Sequence, residues 1–178
     1  MDIRLDDLTA PAIHALLEEH LASMRALSPP ECVFALDLEG LRDPAVTFWS
    51  AWDGAQLAAI GALRQLDARH GEIKSMRTPA ALRRRGAGKA ILQHIIKVAW
   101  ARGYTRLSLE TGTPPAFAPA HRLYLEAGFV DTGPFGAYRA DPHSRFLALD
   151  LAAPLAAPLA APSVAPLSGP LGAQAYSP

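Results

Sequence analysis

Apolar positions along the chain recur at helical spacing in two long stretches and at strand spacing between and after them. Ile13, Leu16, Leu17, Leu21 and Met24 share one helical face. They predict a helix running to about Leu27, with Thr9 placed to cap it. Ser28-Pro29-Pro30-Glu31 breaks that helix. Ser28 as a cap and Glu31 three residues later form a capping box for a second helix carrying Val33, Leu36 and Leu41. Ile3–Leu5 reads as a first strand. Val46–Trp52 is β-branched and aromatic, Asp53-Gly54 is a hairpin signal, and Gln56–Leu66 returns as the partner strand. His70-Gly71 reads as a second turn and Glu72–Thr78 as a third antiparallel strand.

The second helical stretch carries Ile91, Leu92, Ile95, Ile96, Ala99 and Trp100 on a broad apolar face, and Gly103 ends it. Thr105–Thr111 then alternates, with Leu107 and Leu109 on one side and Arg106, Ser108 and Glu110 on the other. A strand–helix–strand order of this kind predicts that Glu72–Thr78 and Thr105–Thr111 run parallel. Ala120–Ala127 reads as a short helix closed by Gly128, Phe129 opens a further strand, Gly133–His143 is a loop, and Arg145–Leu149 completes the sheet. The pattern stops there. Residues 151–178 contain no charged side chain after Asp150, repeat Leu-Ala-Ala-Pro, and place proline where a helix cannot continue. The expected organisation is one domain over 1–150 and a flexible or polyproline-like tail over 151–178.

Charge and composition remove several classes of function. Acidic and basic side chains balance at 17 each, so no global basic field points to nucleic acid. The single cysteine, Cys32, excludes an internal disulfide and a cysteine metal cluster, and reads as a buried or idle thiol. The 6 histidines are scattered without a His-x-x-x-His pair, so no metal is expected. His14 and His20 read as solvated or capping side chains. No apolar run reaches the roughly 18 residues of a spanning helix, and the acidic start lacks a signal core. The expectation is a soluble, cytoplasmic protein without a membrane partner.

The chemistry concentrates at Arg83-Arg84-Arg85-Gly86-Ala87-Gly88, between a strand and the second long helix. A glycine turn entering a helix offers unpaired N–H groups at the positive end of the helix dipole, which suits phosphate. A magnesium-nucleotide loop is disfavoured, because Gly88-Lys89 is followed by Ala90 and no hydroxyl stands there for the metal. A dinucleotide fingerprint is disfavoured by its Gly-x-Gly-x-x-Gly spacing.

Two segments carry a family resemblance. Arg83, Gly86 and Gly88 match the Arg/Gln-x-x-Gly-x-Gly/Ala motif of the GCN5-related N-acetyltransferases, and Pro119–Phe129 (PAHRLYLEAGF) matches their later Leu-Tyr-x-x-x-Gly-Phe motif. With SLETG, GPFGAY and DPHS, residues 1–150 resemble in particular the small bacterial YsnE-type group. The resemblance implies an α/β (α+β) fold: a mixed, mostly antiparallel sheet of six to seven strands, about four flanking helices, and a splayed parallel strand pair. It implies acetyl-CoA as cosubstrate. The backbone of Met76, Arg77 and Thr78 would hold the pantetheine arm. Amides over Arg84–Lys89, including Ala87, would cradle the pyrophosphate, helped by Arg83, Arg84, Arg85 or Lys89. Tyr124 stands at the family's general-acid position. Glu72 stands where the histone-acetylating branch has its base, with Glu110 as the reserve; alternation would put Glu72 and Met76 on one strand face, and an exposed strand-end carboxylate is the competing reading of Glu72. Glu110, Phe135 and Tyr138, with Asp141 and Arg145, are candidates for the acceptor pocket. The implied activity is acetyl transfer to a primary amine of a small molecule or peptide; a non-catalytic acyl-CoA sensor of the same fold is the alternative. The oligomeric state, monomer or homodimer, stays open.

Overall fold

The computed structural model describes residues 1–27, 29 and 34–151. A seven-stranded sheet runs through it in the order β1-β2-β3-β4-β5-β7-β6. The strands are β1 (Asp2–Leu5), β2 (Val46–Asp53), β3 (Gln56–Gln65), β4 (His70–Arg77), β5 (Arg106–Gly112), β6 (Val130–Thr132) and β7 (Ser144–Asp150). All neighbours are antiparallel except β4 and β5. The helices are α1 (Pro11–Leu27), α2 (Leu38–Leu41), α3 (Ala87–Ala101) and α4 (Ala118–Glu126). No helix among the described residues is long and apolar enough to cross a membrane.

Local chemistry explains most of these boundaries. Gly54, left-handed at φ 58°, turns the β2–β3 hairpin between the paired Asp53 and Gln56. Gly103 closes α3: its N–H donates to the Trp100 carbonyl and that of Tyr104 to Ala99, the two bonds of a Schellman ending. Other boundaries differ from expectation. α1 begins at Pro11 rather than on a Thr9 cap, because the Thr9 hydroxyl donates to Asp7 instead. The second helix is one turn at Leu38–Leu41 with Asp37 as its cap, accepting from the Gly40 N–H at 2.8 Å. The expected capping box at Ser28 and Glu31, Val33, the thiol of Cys32 and the tail beyond Leu151 lie outside the described residues. His70 and Gly71 are strand residues, paired with β5, and the β3–β4 turn comes earlier, where the Leu66 N–H donates to the His70 carbonyl.

The two faces of the sheet carry different cores. On one, α3 and α4 cover Leu63, Ile73, Leu107, Leu109 and Leu147 with Ile91, Leu92, Ile95 and Tyr124, joined by Phe129 just after α4. On the other, α1 and α2 cover Phe48, Leu57, Ile60 and Ala62 with Ile13, Leu16, Leu17 and Leu41. His20 belongs to this buried side of α1, at 7% exposure, so the solvated or capping reading of that residue is overturned. A buried imidazole has little access to water to stabilise its charged form, and with Arg77 and Lys74 nearby its pKa falls to about 4.

A bulge in β4 decides which β4 residues face which core. Ile60 pairs Arg77 and Ala62 pairs Lys74, so β4 spends one more residue than β3 over this interval. Ser75 takes φ 52° inside it. Alternation therefore slips by one. Glu72 and Lys74 meet on the α1 side, whereas Met76 packs with Ile91 and Ile95 on the α3 side, its sulfur filling the space over Gly61. Glu72 and Met76 do not share a face, contrary to simple alternation.

Candidate active site

The segment from β4 to α3 forms a candidate anion cradle. Arg84 at φ 63° and Gly86 at φ 86° curl the chain before α3. The first backbone bond into the helix is Ala90 N–H to the Gly86 carbonyl at 2.9 Å, and no N–H of residues 84–89 has a partner among the described residues. Gly86 needs its left-handed backbone, and a Cβ on Gly88 would stand 3.3 Å from the Thr78 hydroxyl. Arg83, Arg84, Arg85 and Lys89 are exposed around the cradle and form no ion pair among the described residues. Positive charge thus surrounds a row of free donors at a helix N-terminus, an arrangement that fits a pyrophosphate.

Beside the cradle the sheet opens. β4 and β5 pair only at His70–Arg106, Gly71–Leu107 and Glu72–Ser108. Beyond Glu72 the ladder stops, which leaves Met76, Arg77 and Thr78 with backbone on an unpaired strand edge facing the gap. An extended amide-bearing chain laid there would find the hydrogen-bonding groups that a neighbouring strand normally supplies. Arg77 turns its side chain the other way, to Glu19 at 2.7 Å and Ser23 at 2.8 Å on α1.

On the α1 side of the gap lies a polar cluster under an aromatic cover. Glu72 is 1% exposed. Its Oε1 accepts from the Tyr138 hydroxyl at 2.5 Å and lies 3.2 Å from Lys74 Nζ. Lys74 also donates to Tyr138 at 2.7 Å and to the Phe34 carbonyl at 2.9 Å. Burial, and then the Glu72 charge, push the Tyr138 phenol above its ordinary pKa. Phe34, Phe135 and Phe146 pack edge-on or tilted around Tyr138 with centroids 4.9 to 5.6 Å away. Glu110 lies on the same side, opposite Phe146 in the β5–β7 ladder. Its Oε1 accepts from Ser144 at 2.8 Å, and burial outweighs that bond to raise its pKa.

Tyr124 approaches from α4 on the other side of the sheet. It is 6% exposed, packs on Phe129 at 5.9 Å, and its hydroxyl forms no hydrogen bond among the described residues. Burial, with repulsion from Glu110 second, raises its pKa above 10 and keeps the phenol protonated.

Several sequence readings change here. Glu72 is not an exposed strand-end carboxylate; it is sealed beneath Tyr138. Arg145 leaves the acceptor group, because it follows Leu147 to the α4 side and binds Asp131 with two bonds of 2.7 and 2.8 Å. Phe135 and Tyr138 do come together next to Glu110. Lys74 and Ser144 were missed. Lys74 reads from sequence as an ordinary strand lysine, and its one detectable signal is the i, i+2 spacing from Glu72, which places opposite charges on one strand face.

Comparison with known proteins agrees with this geometry. The Acetyltransferase (GNAT) family pattern matches residues 13–129. The chain is 56% identical over 149 residues to the "Uncharacterized N-acetyltransferase YedL" of Escherichia coli (strain K12), covering 84% of this chain and 94% of that protein. It is 54% identical over 151 residues to the "Uncharacterized N-acetyltransferase YsnE" of Bacillus subtilis (strain 168), covering 85% and 100%. A GNAT family acetyltransferase from Elizabethkingia anophelis with acetyl-CoA bound superposes with a TM-score of 0.60 at 16% identity, covering 84% and 97% of the two chains. Aminoglycoside 6′-acetyltransferase type Ii superposes at 0.63 with 19% identity, covering 86% and 100%. At those identities the two structures establish the shared fold.

Proposed function

The chain belongs to the acetyltransferase (GNAT) family and is an acetyltransferase; from that premise we propose that it moves the acetyl group of acetyl-CoA directly to the primary amine of a small molecule. The observation that carries this reading is the row of unpartnered N–H groups at 84–89, set beside the gap where β4 leaves β5. Acetyl-CoA supplies a pyrophosphate of the right charge for the first feature and an acetyl thioester for the second. Arg83, Arg84, Arg85 and Lys89 add charge around the pyrophosphate; Gly86, Ala87 and Gly88 keep the backbone close to it. The β4 edge at Met76, Arg77 and Thr78 aligns the pantetheine, and an N–H beside the bulge polarises the thioester carbonyl.

Glu110, in preference to Glu72, is the base. Both Lys74 and Tyr138 crowd onto Glu72 Oε1, so that oxygen is already occupied and has no room for an acceptor nitrogen. Glu110 keeps one oxygen outside its bond to Ser144, and its raised pKa brings it nearer the range useful to a base. Glu110 takes a proton from the acceptor ammonium, so that the nitrogen can bond to the acetyl carbon; as the carbon–sulfur bond breaks, the nitrogen gives up its second proton to water and becomes the amide. Tyr124 gives its Oη proton to the departing sulfur and regains one from water. Burial weakens Tyr124 as an acid, but a thiolate leaving into the same dry gap is destabilised by the same desolvation, so donor and acceptor stay matched. Phe135 and Tyr138 line the acceptor side.

The test is release of free CoA thiol from acetyl-CoA with ethanolamine, spermidine, 2-phenylethylamine, kanamycin and a short unblocked peptide in turn. Stimulation by one or more of the small amines is expected. If acetyl-CoA binds but no amine raises release above hydrolysis, amine transfer is wrong. Stimulation by the peptide alone would move the acceptor class from small molecules to polypeptides.

A further inference from the structure

Lys74 is the least expected charge in the molecule. Its ammonium has three N–H donors, and three acceptors surround it: Glu72 Oε1, the Tyr138 hydroxyl and the Phe34 carbonyl. The Tyr138 hydroxyl passes its own proton bond to Glu72, which closes a ring of three side chains. The partners come from three separate parts of the chain. Glu72 and Lys74 belong to β4, Phe34 lies 40 residues before Lys74, and Tyr138 lies 64 after it. The Lys74 side chain is 7% exposed. Burying a long cationic side chain with its carboxylate is a poor route to stability, since well-packed apolar replacements of such pairs are often neutral or stabilising. What the charge does here is connect.

We propose that Lys74 is the positioning residue of the acceptor side: it ties the two segments that cover the site, at Phe34 and at loop 133–143, down onto β4, and so sets how the acceptor binds. The inference rests on the acetyl-transfer reading above. Its reach follows from the rings. Tyr138 touches Phe34 at 4.9 Å, Phe135 at 5.0 Å and Phe146 at 5.6 Å, and Lys74 Nζ stands 5.4 Å from the Tyr138 ring centre. Holding the Tyr138 hydroxyl therefore holds the aromatic wall next to Glu110. Among the described residues no hydrogen bond, ion pair or ring contact joins the anion cradle at 84–89 to this ring, so the two substrates are separable in a kinetic experiment.

Lys74→Met alone leaves Glu72 buried without its cation and can fail by unfolding. The informative variant is Glu72→Gln/Lys74→Met, which removes both charges together and keeps Tyr138. Steady-state kinetics use the amine from the panel with the highest kcat/KM. The expected result is an acceptor KM raised about tenfold or more, with kcat and the acetyl-CoA KM within about threefold of wild type. Hydrogen exchange of backbone amides in 133–143 should quicken in the same variant, while α3 amides keep their protection. An unchanged acceptor KM overturns the proposal, and so does a loss confined to kcat or one shared equally by both KM values. If the wild-type protein acetylates no amine, the acetyl-transfer reading falls first; the exchange measurement then decides about Lys74, and a loop 133–143 that exchanges no faster overturns it.

Discussion

Tyr124→Phe removes one oxygen from a fully packed helix face and tests the acid assignment. The Tyr124 hydroxyl has no hydrogen-bond partner among the described residues, so its loss orphans no other group. The ring contact with Phe129 survives. Taking away a hydroxyl without a partner is close to neutral for stability, within about 0.5 kcal/mol. For a domain of this size that moves Tm by no more than about 2 °C. Catalysis is different. A general acid contributes about 10²–10⁴ in rate, equivalent to about 3–5 kcal/mol of barrier. The variant should therefore lose about a hundredfold or more in kcat while its melting curve stays in place. The assay is thiol release at saturating acetyl-CoA, run beside a thermal melt, across pH. Because the Tyr124 pKa is raised, wild-type kcat should show no alkaline loss from this group below about pH 10. A variant with kcat within about threefold of wild type would refute the acid role. A large kcat loss accompanied by a Tm drop of many degrees would refute it too, because packing would then be the cause.

Glu110→Gln should abolish most amine-dependent turnover and remove the rise of kcat/KM with pH that its ionisation causes; a retained rise would return the base role to Glu72. The same variant carries a stability test. A carboxyl whose folded pKa is raised binds protons more tightly when folded, so its contribution is complete below the unfolded pKa and is lost as pH climbs through the folded one. Glu110→Gln should thus raise Tm at pH 7 and leave it unchanged near pH 4. His20 has the opposite sign. Its pKa falls from 6.5 to about 4, so stability is fully present above pH 6.5 and is lost as pH drops toward 4, by about 3 kcal/mol in all. His20→Gln should flatten the denaturant-measured stability profile over that window, and an unaltered slope would show that His20 is not its source. Gly86→Ala places a Cβ at φ 86°, at a cost of about 1–2 kcal/mol. It should lower Tm modestly and raise the acetyl-CoA KM, read from initial rates, without changing the acceptor KM; equal effects on both would count against the cradle.

Order along the chain and the chemistry of its turns were open to sequence reading because they depend on neighbours in sequence. The apolar face of α3 from Ile91 to Ala99, the left-handed Gly54, Gly86 and Gly103, the alternation of Leu107 and Leu109, and the cradle at 84–89 all follow from spacing of 1 to 4 residues, the range over which helix and strand geometry act. The two motifs around Gly86 and Tyr124 carried the family for the same reason. The facing of β4 did not follow, because the bulge at Ser75 is set by pairing with β3 and shifts every side chain beyond it by one place. Nor did the fate of Glu72, Lys74, Glu110 and Arg145. Each is a charge on a strand, and a strand residue's exposure depends on what the rest of the chain lays over it. Tyr138, 66 residues from Glu72, makes that carboxylate a buried partner, and Asp131 draws Arg145 to the opposite side. Sequence alone determined that a glycine turn of the kind suited to phosphate stands at a helix N-terminus. Only the tertiary structure decided the surroundings of the two carboxylates, Glu72 under Lys74 and Tyr138 and Glu110 bonded to Ser144, because desolvation and hydrogen-bond occupancy are properties of contacts made across the fold.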